Sequence, residues 1–151
     1  SLLEAAVCAR RMAARIGELK PSREFPVIAI PDWQYGEAVP SDEAVVVEHN
    51  WNEVRTCMWD YVGIVRTDRR LERAWRRARN LRLEIREYYW DYLVTSDILE
   101  LRNIGDVAEL IIRSAQMRKE SRGLHYTLDY PEKLSGAADT IIADPAGARA
   151  E

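Results

Sequence analysis

Leu71-Glu72-Arg73-Ala74-Trp75-Arg76-Arg77-Ala78-Arg79-Asn80-Leu81-Arg82-Leu83-Glu84-Ile85-Arg86-Glu87-Tyr88 is the stretch that decides the fold. Its apolar residues stand at Leu71, Ala74, Ala78, Leu81, Ile85 and Tyr88 and continue to Tyr92. Alternating steps of three and four place them on one side of an α-helix. The flanking stretches repeat the pattern, first at Trp51, Val54, Met58, Tyr61 and Val65, then at Leu101, Ile104, Ala108, Ile111 and Ala115. Three helices with one apolar face each and short connections bury those faces most economically against one another. The sequence therefore predicts an all-α fold with an antiparallel three-helix bundle over residues 49–134. Asn50 with Glu53, and Asp97 with Glu100, read as capping pairs at helix starts. The Gly63 to Asp68 stretch separates the first helix from the second, and Gly123 is placed as the left-handed cap that ends the third. Gly105 lies inside the third helix, where it costs about 1 kcal/mol relative to Ala, so it is expected to mark a close helix contact.

The bundle is preceded by an N-terminal helix and a Pro-rich linker. Ser1-Leu2-Leu3-Glu4 has the form of a capping box, and Leu2, Ala5, Ala9, Met12, Ile16 and Leu19 follow at helical spacing. Pro21 should stop this helix between Gly17 and Lys20. A chain that opens on a helix cap and without Met reads as cut from something longer. Residues 1–20 are accordingly expected to be a helix belonging to an upstream domain. Residues 21–48 contain Pro21, Pro26, Pro31 and Pro40 and read as an extended linker. The short apolar stretches Val27 to Ile30 and Ala44 to Val47 leave room in it for one short strand. Residues 135–151, rich in Ala, Gly and Asp, read as a flexible tail.

Composition narrows the function. The chain has 151 residues, 47% of them hydrophobic, enough for one ordinary core. Twenty-two Lys and Arg against 25 Asp and Glu leave a net charge of -3, which gives no global attraction to nucleic acid or an acidic membrane. No apolar run approaches the ~20 residues a membrane helix needs. Cys8 and Cys57 are too few for a disulfide framework, which suits a reducing compartment and makes the cytoplasm the expected location.

Candidate chemistry is sparse. His49 and His125 have no Cys or His at ligand spacing, so no metal site is expected. No nucleophile motif or phosphate-cradling glycine loop occurs, and Cys57 reads as a buried, inert thiol. The second bundle helix carries nine arginines against five acids. That face could bind phosphate, or it could be a solvated or interdomain face, and the interleaved acids favour the latter. Trp59, Tyr61, Trp75, Tyr88, Tyr89, Trp90 and Tyr92 could form a ligand platform, but helical spacing assigns such residues to core.

The densest unusual run is Arg118-Lys119-Glu120-Ser121-Arg122-Gly123-Leu124-His125-Tyr126-Thr127-Leu128-Asp129-Tyr130-Pro131. It resembles the C-terminal signature of the L-aspartate oxidase family, within the flavoprotein group of succinate dehydrogenase and fumarate reductase. Met58-Trp59-Asp60-Tyr61-Val62-Gly63-Ile64-Val65-Arg66, Glu87-Tyr88-Tyr89-Trp90 and Leu99-Glu100-Leu101-Arg102-Asn103 resemble the family's three bundle helices in order and spacing. Ser1-Leu2-Leu3-Glu4 is similar to its stretch just after the last glycine-rich flavin contact. The Glu132-Lys133-Leu134 continuation favours the L-aspartate oxidase branch over the dehydrogenases and reductases.

The resemblance implies an FAD-dependent enzyme that oxidises L-aspartate to iminoaspartate for quinolinate synthase in NAD biosynthesis, with the flavin reoxidised by oxygen or fumarate. It also implies that the substrate-clamping residues and the nucleotide loop lie upstream, so this chain alone should be inactive, hold no FAD and contain no catalytic residue. Ser1 and Leu2 match flavin-contacting positions, and a capped helix N-terminus would present about half a positive charge to the electron-rich end of a flavin. The expected partners are the chain's own upstream flavin-binding and capping domains. Self-association is expected where the apolar side of the first helix lies bare. Ser121 to Tyr126 reads either as a docking element that buries Arg122 and His125 against the flavin domain or as a plain helix end. A free-standing helical module binding through its arginine face is the alternative for the whole chain.

Overall fold

The computed structural model describes residues 2–19, 29–41 and 44–143. The chain divides into two units, Ser1–Gln34 and Tyr35–Glu151.

The first unit contains α1 (Leu2–Glu18). Glu4 in its first turn and Arg15 in its last both complement the helix dipole. Leu2, Leu3, Met12 and Ile16 form no core, and α1 buries none of its residues. Of the linker prolines, Pro31 and Pro40 fall among the described residues, in irregular backbone. Val27 and Ile28 lie outside them, and Ala29 and Ile30 are in irregular backbone.

The second unit runs α2 (Ala44–Val62), β1 (Val65–Arg66), α3 (Asp68–Asp91), α4 (Ser96–Met117) and β2 (Tyr126–Thr127). Its core is built in three layers. Val46 and Val47 at the start of α2 pack with Tyr88 and Tyr89 at the end of α3 and Ile98 at the start of α4. Val54 meets Leu81, Ile85, Leu101 and Ala108 in the middle. Cys57 and Val62 meet Leu71, Ala74 and Ala78, with Ile112 and Ala115 near the end of α4. Successive helices therefore run in opposite directions, the expected antiparallel bundle. The Leu71-Ala74-Ala78-Leu81-Ile85-Tyr88 face is buried at every position. The small β1–β2 pair is parallel, with Val65 opposite Tyr126 and Arg66 opposite Thr127. It ties the α2–α3 connection to the segment after α4.

Several boundaries differ from the sequence reading. The first bundle helix starts at Ala44, so Asn50 is no cap but a buried residue within α2. Three successive valines disfavour helix, yet burying Val46 and Val47 under Tyr88 and Tyr89 outweighs that preference. The segment before it is held by backbone bonds from Val39 N–H to Asp91 O (3.2 Å) and from Leu93 N–H to Val39 O (2.9 Å), a single bridge where a strand had been allowed for. The cap of α4 is Thr95, whose hydroxyl accepts from Ile98 N–H at 3.3 Å, while Asp97 sits in the first turn. Thr67 caps α3 in the same way, from Arg70 N–H.

The seam of α4 is also shifted. Ile112 is fully buried and Ile111 is 41% exposed, and the buried positions are Ile98, Leu101, Gly105, Ala108, Ile112 and Ala115. A core glycine is invisible to a count of hydrophobic side chains, which is why Ile104 and Ile111 looked like the seam. A Cβ on Gly105 would lie 3.4 Å from Ile85 Cδ1, so Gly105 faces α3 at ordinary contact distance, with room for a methyl group. Helix α2 ends at Val62 because its chain turns at Gly63, where a Cβ would come within 3.0 Å of Trp59 O. Val65 thus leaves the helix face for β1. Among the aromatics, Tyr88 and Tyr89 are core, but Trp59 (84% exposed) and Trp90 (62%) are not.

Candidate functional site

The residues singled out after the last helix fold into one cross-linked segment. α4 stops at Met117 with Arg118 as its C-cap, so Gly123 does not end the helix. It has positive φ (+61°) in a tight turn instead, where Arg122 and His125 exchange backbone hydrogen bonds of 2.9 and 3.1 Å. Only glycine occupies that region of φ without strain.

Glu120 is the hub of the segment. It is 3% exposed, and its carboxylate accepts from Arg118 Nη1 (3.0 Å), Arg122 Nε (2.9 Å) and Leu134 N–H (3.0 Å). Burial alone would raise the Glu120 carboxyl, but the Leu134 N–H and the two guanidiniums more than offset it and hold it below the usual glutamate value. Arg118 also donates to Ala138 O and Thr140 Oγ1, which fastens the start of the expected flexible tail. Ser121 Oγ donates to Tyr130 O at 2.8 Å and accepts from Thr127 N–H at 3.0 Å. Thr127 Oγ1, beside it, is buried without a hydrogen-bond partner.

His125 is engaged at both ring nitrogens. Arg66 Nη1 lies 2.8 Å from Nδ1, and Arg118 O lies 3.1 Å from Nε2. Arg66 can only donate and a carbonyl can only accept, so the ring is neutral with its proton on Nε2. Burial first, then the Arg66 and Arg118 charges, push His125 below its ordinary pKa. Arg66 also donates from Nε to Val62 O and Gly63 O, joining the end of α2 to the hairpin that the antiparallel Arg122–His125 bridge forms after α4. Asp68, at the head of α3, takes both Lys119 Nζ bonds at 2.9 Å and the Tyr130 hydroxyl at 3.0 Å. The Lys119 bond, opposed by burial and aided by Tyr130, holds Asp68 below the usual aspartate range.

Arg122 and His125 are therefore both held within the chain, Arg122 by Glu120 and Leu134 O and His125 by Arg66 and Arg118 O. What the hairpin presents outward is apolar: Leu124 is 97% exposed and Leu128 55%. Arg66 and Glu120 escaped the sequence reading as site residues. Arg66 stands 59 positions from His125, and only the β1–β2 pairing brings them together.

Of the two flavin-edge candidates, Ser1 lies outside the described residues. Leu2 is the first residue of α1 and is 88% exposed. The first N–H groups of such a helix have no intrahelical partner. That fits an edge contact with an electron-rich ring, although Glu4 in the same turn competes for the same potential. Among the described residues, nothing else here resembles a nucleotide cradle.

The remaining candidates resolve simply. No cluster of His, Cys, Asp and Glu suited to a metal occurs among the described residues. Cys57 is buried, with its thiol pushed up by burial and 3.9 Å from Ala74 O. On the arginine face, Arg82 pairs with Asp106 (2.7 Å) and Glu109 (3.0 Å), Arg76 pairs with Glu72 (2.9 Å), and Arg77 lies over the Tyr61 ring. Arg76 and Arg82 are thus compensated within the chain. No helix among the described residues is long and apolar enough to cross a membrane.

Known proteins match this sequence closely. The chain is 54% identical over 145 residues to an L-aspartate oxidase of Pseudomonas aeruginosa, covering 96% of the chain and 27% of that protein. It is 49% identical over 142 residues to the L-aspartate oxidase of Vibrio cholerae, covering 94% and 26%. A chloroplastic L-aspartate oxidase of Arabidopsis thaliana is 34% identical over 145 residues, 87% of the chain and 22% of that protein. The chain thus spans about a quarter of the length of these curated relatives. The family model for the fumarate reductase flavoprotein C-terminal region matches residues 51–141, from the body of α2 through the Glu120 and His125 segment. On that match, which covers every element from the body of α2 to β2, the chain belongs to the fumarate reductase flavoprotein C-terminal family.

Proposed function

We propose that this chain is the C-terminal helical part of an FAD-dependent L-aspartate oxidase, a cytoplasmic enzyme that converts L-aspartate to iminoaspartate. The observation that carries this reading is the 54% identity to the Pseudomonas aeruginosa L-aspartate oxidase along nearly the whole chain. In this reading iminoaspartate passes to quinolinate synthase in NAD biosynthesis. FAD, when bound, supplies the acceptor for the hydride leaving the amine-bearing carbon of L-aspartate.

The chain's own residues act by support. Leu2 and Ser1 would lie along the flavin edge, with the N-terminal dipole of α1 directed at it. The apolar side of α1, bare within its own unit, suits burial against an upstream flavin-binding domain. The Glu120 and Arg66–His125 bonds hold the hairpin so that Leu124 and Leu128 face outward at a fixed position. The flavin-binding and capping domains of the same polypeptide are their natural cover, and without that cover α1 favours self-association. Catalytic groups belong to the rest of the polypeptide, so the chain by itself is inactive and colourless.

The test is expression of the gene with the coding sequence upstream of Ser1, beside this chain alone. Both are assayed for bound flavin by visible absorbance and for L-aspartate-dependent hydrogen peroxide. A yellow, active long form with a colourless, inactive short form is expected. A long form that binds flavin but does not oxidise L-aspartate would overturn the substrate, and one without flavin would overturn the whole reading.

A further inference from the structure

A large groove of the bundle lies away from the hairpin, at the opposite end of the helices. It is a groove of about 670 Å³ between the start of α2, the end of α3 and the start of α4. Val47, Trp51 and Tyr88 contribute to its wall. Glu48 on α2 and Asp97 and Glu100 on α4 also line it, and among the described residues no Lys, Arg or His does.

Two features together restrict what could occupy such a space. Its volume and largely apolar wall suit a small organic molecule, since ligand sites are commonly about 300–1,000 Å³ and mostly hydrophobic. Among the described residues, its ionic groups carry one sign. Asp97 is partly offset by the positive end of α4, in whose first turn it sits. That effect fades within a turn, so Glu48 and Glu100 have no such compensation. Three carboxylates bordering one apolar groove repel one another and repel any anion. An organic cation reverses both signs, and aromatic side chains add attraction for a cation that sheds part of its water.

We propose that this groove binds a small amphipathic cation, an ammonium or guanidinium group on an apolar body. The body lies against Val47, Trp51 and Tyr88, and the charge faces Glu48, Asp97 and Glu100. The site is separate from the flavin edge and from the hairpin. It does not depend on the oxidase reading.

The test uses the 151-residue chain, labelled with ¹⁵N, and three probes of nearly the same shape: benzylammonium, benzyl alcohol and phenylacetate. The reporter is the indole N–H resonance of Trp51, identified by its loss in Trp51→Phe. Benzylammonium should shift it saturably and bind about tenfold tighter than benzyl alcohol. Phenylacetate should not bind. Glu48→Gln with Glu100→Gln should remove most of the cation's advantage and leave benzyl alcohol unchanged. If the double variant unfolds, Glu48→Gln alone, an exposed position on α2, carries the same comparison with a smaller change. Equal affinity for benzylammonium and benzyl alcohol would overturn the proposal, as would cation binding that persists at full strength in the variants. A Trp51 resonance unmoved by millimolar benzylammonium would do so too.

Discussion

Ile111 and Ile112 are adjacent, chemically identical and opposite in fate, so truncating each in turn measures the phase of α4 directly. Ile112 has no exposed surface and packs with Cys57, Val62, Leu71, Ala74 and Ala78. Ile112→Ala removes three buried carbons, which at ~0.8 kcal/mol each is about 2.4 kcal/mol of lost transfer energy. The neighbours are anchored on two other helices and cannot fully collapse, so the cavity adds about 1 kcal/mol, for about 3–4 kcal/mol overall. Ile111 is 41% exposed and borders an open groove, so Ile111→Ala forfeits about 1.4 kcal/mol at most and encloses no cavity. Alanine's higher helix propensity, a few tenths of a kcal/mol, favours both variants equally and cancels in the comparison. Urea unfolding followed by far-UV circular dichroism on this chain gives both values, provided the m-value stays constant. The melting temperature of Ile112→Ala should fall by roughly 10 °C, and that of Ile111→Ala by a few degrees. Equal losses, or a larger loss at Ile111, would refute the Gly105-containing seam and restore the one read from hydrophobic spacing.

The other predictions concern single groups. His125 is held neutral, with its pKa depressed, whereas in the unfolded chain it titrates near its ordinary value. Between those two values the unfolded state binds the extra proton, so folding stability should drop as pH falls through about 6.5. Comparing urea midpoints at pH 7.5 and 5.5 should show a smaller drop in His125→Gln, and an unchanged drop would contradict the Arg66 and Arg118 bonds. Gly105→Ala should be neutral or stabilising by up to about 1 kcal/mol, because the new methyl makes ordinary contact with Ile85 and gains helix propensity. Gly105→Leu should be severely destabilised, and similar melting temperatures for the two would show that the helices are not in close contact there. Cys8 is exposed and Cys57 buried with a raised pKa, so a thiol reagent should label one cysteine in the native chain and two only in denaturant.

The bundle was legible because α3 states its period in side chains alone. Every seam position from Leu71 to Tyr88 is a residue that counts as apolar, and all are buried. The start of α2 was not legible, because Val45, Val46 and Val47 describe a strand locally. Their helical state is decided by Tyr88, Tyr89 and Ile98, which lie about forty or more positions away. Caps were misplaced for a related reason: Asn50 and Asp97 are good caps by type, but Thr95 has the extended backbone (φ -114°, ψ 168°) that lets its hydroxyl reach back to Ile98 N–H.

The hairpin shows how far a motif can be read without its fold. Arg118 to Pro131 stood out by composition, and the structure does gather them, but their roles are the reverse of what charge suggests. Arginine and histidine in an exposed run look available for a partner. Here Arg118 and Arg122 neutralise the buried Glu120, and His125 completes the Arg66 contact, so the polar residues build the platform. The side chains left in solvent include Leu124 and Leu128, residues that a search for chemistry passes over. If the upstream domains dock on this hairpin, Leu124→Ser should leave this chain's own stability nearly unchanged, since that side chain is already in solvent. The same substitution in the long form should lower its melting temperature or its flavin retention. Loss of stability in the short chain as well would place Leu124 in the bundle's own packing, and no effect in either would remove the hairpin from the interface.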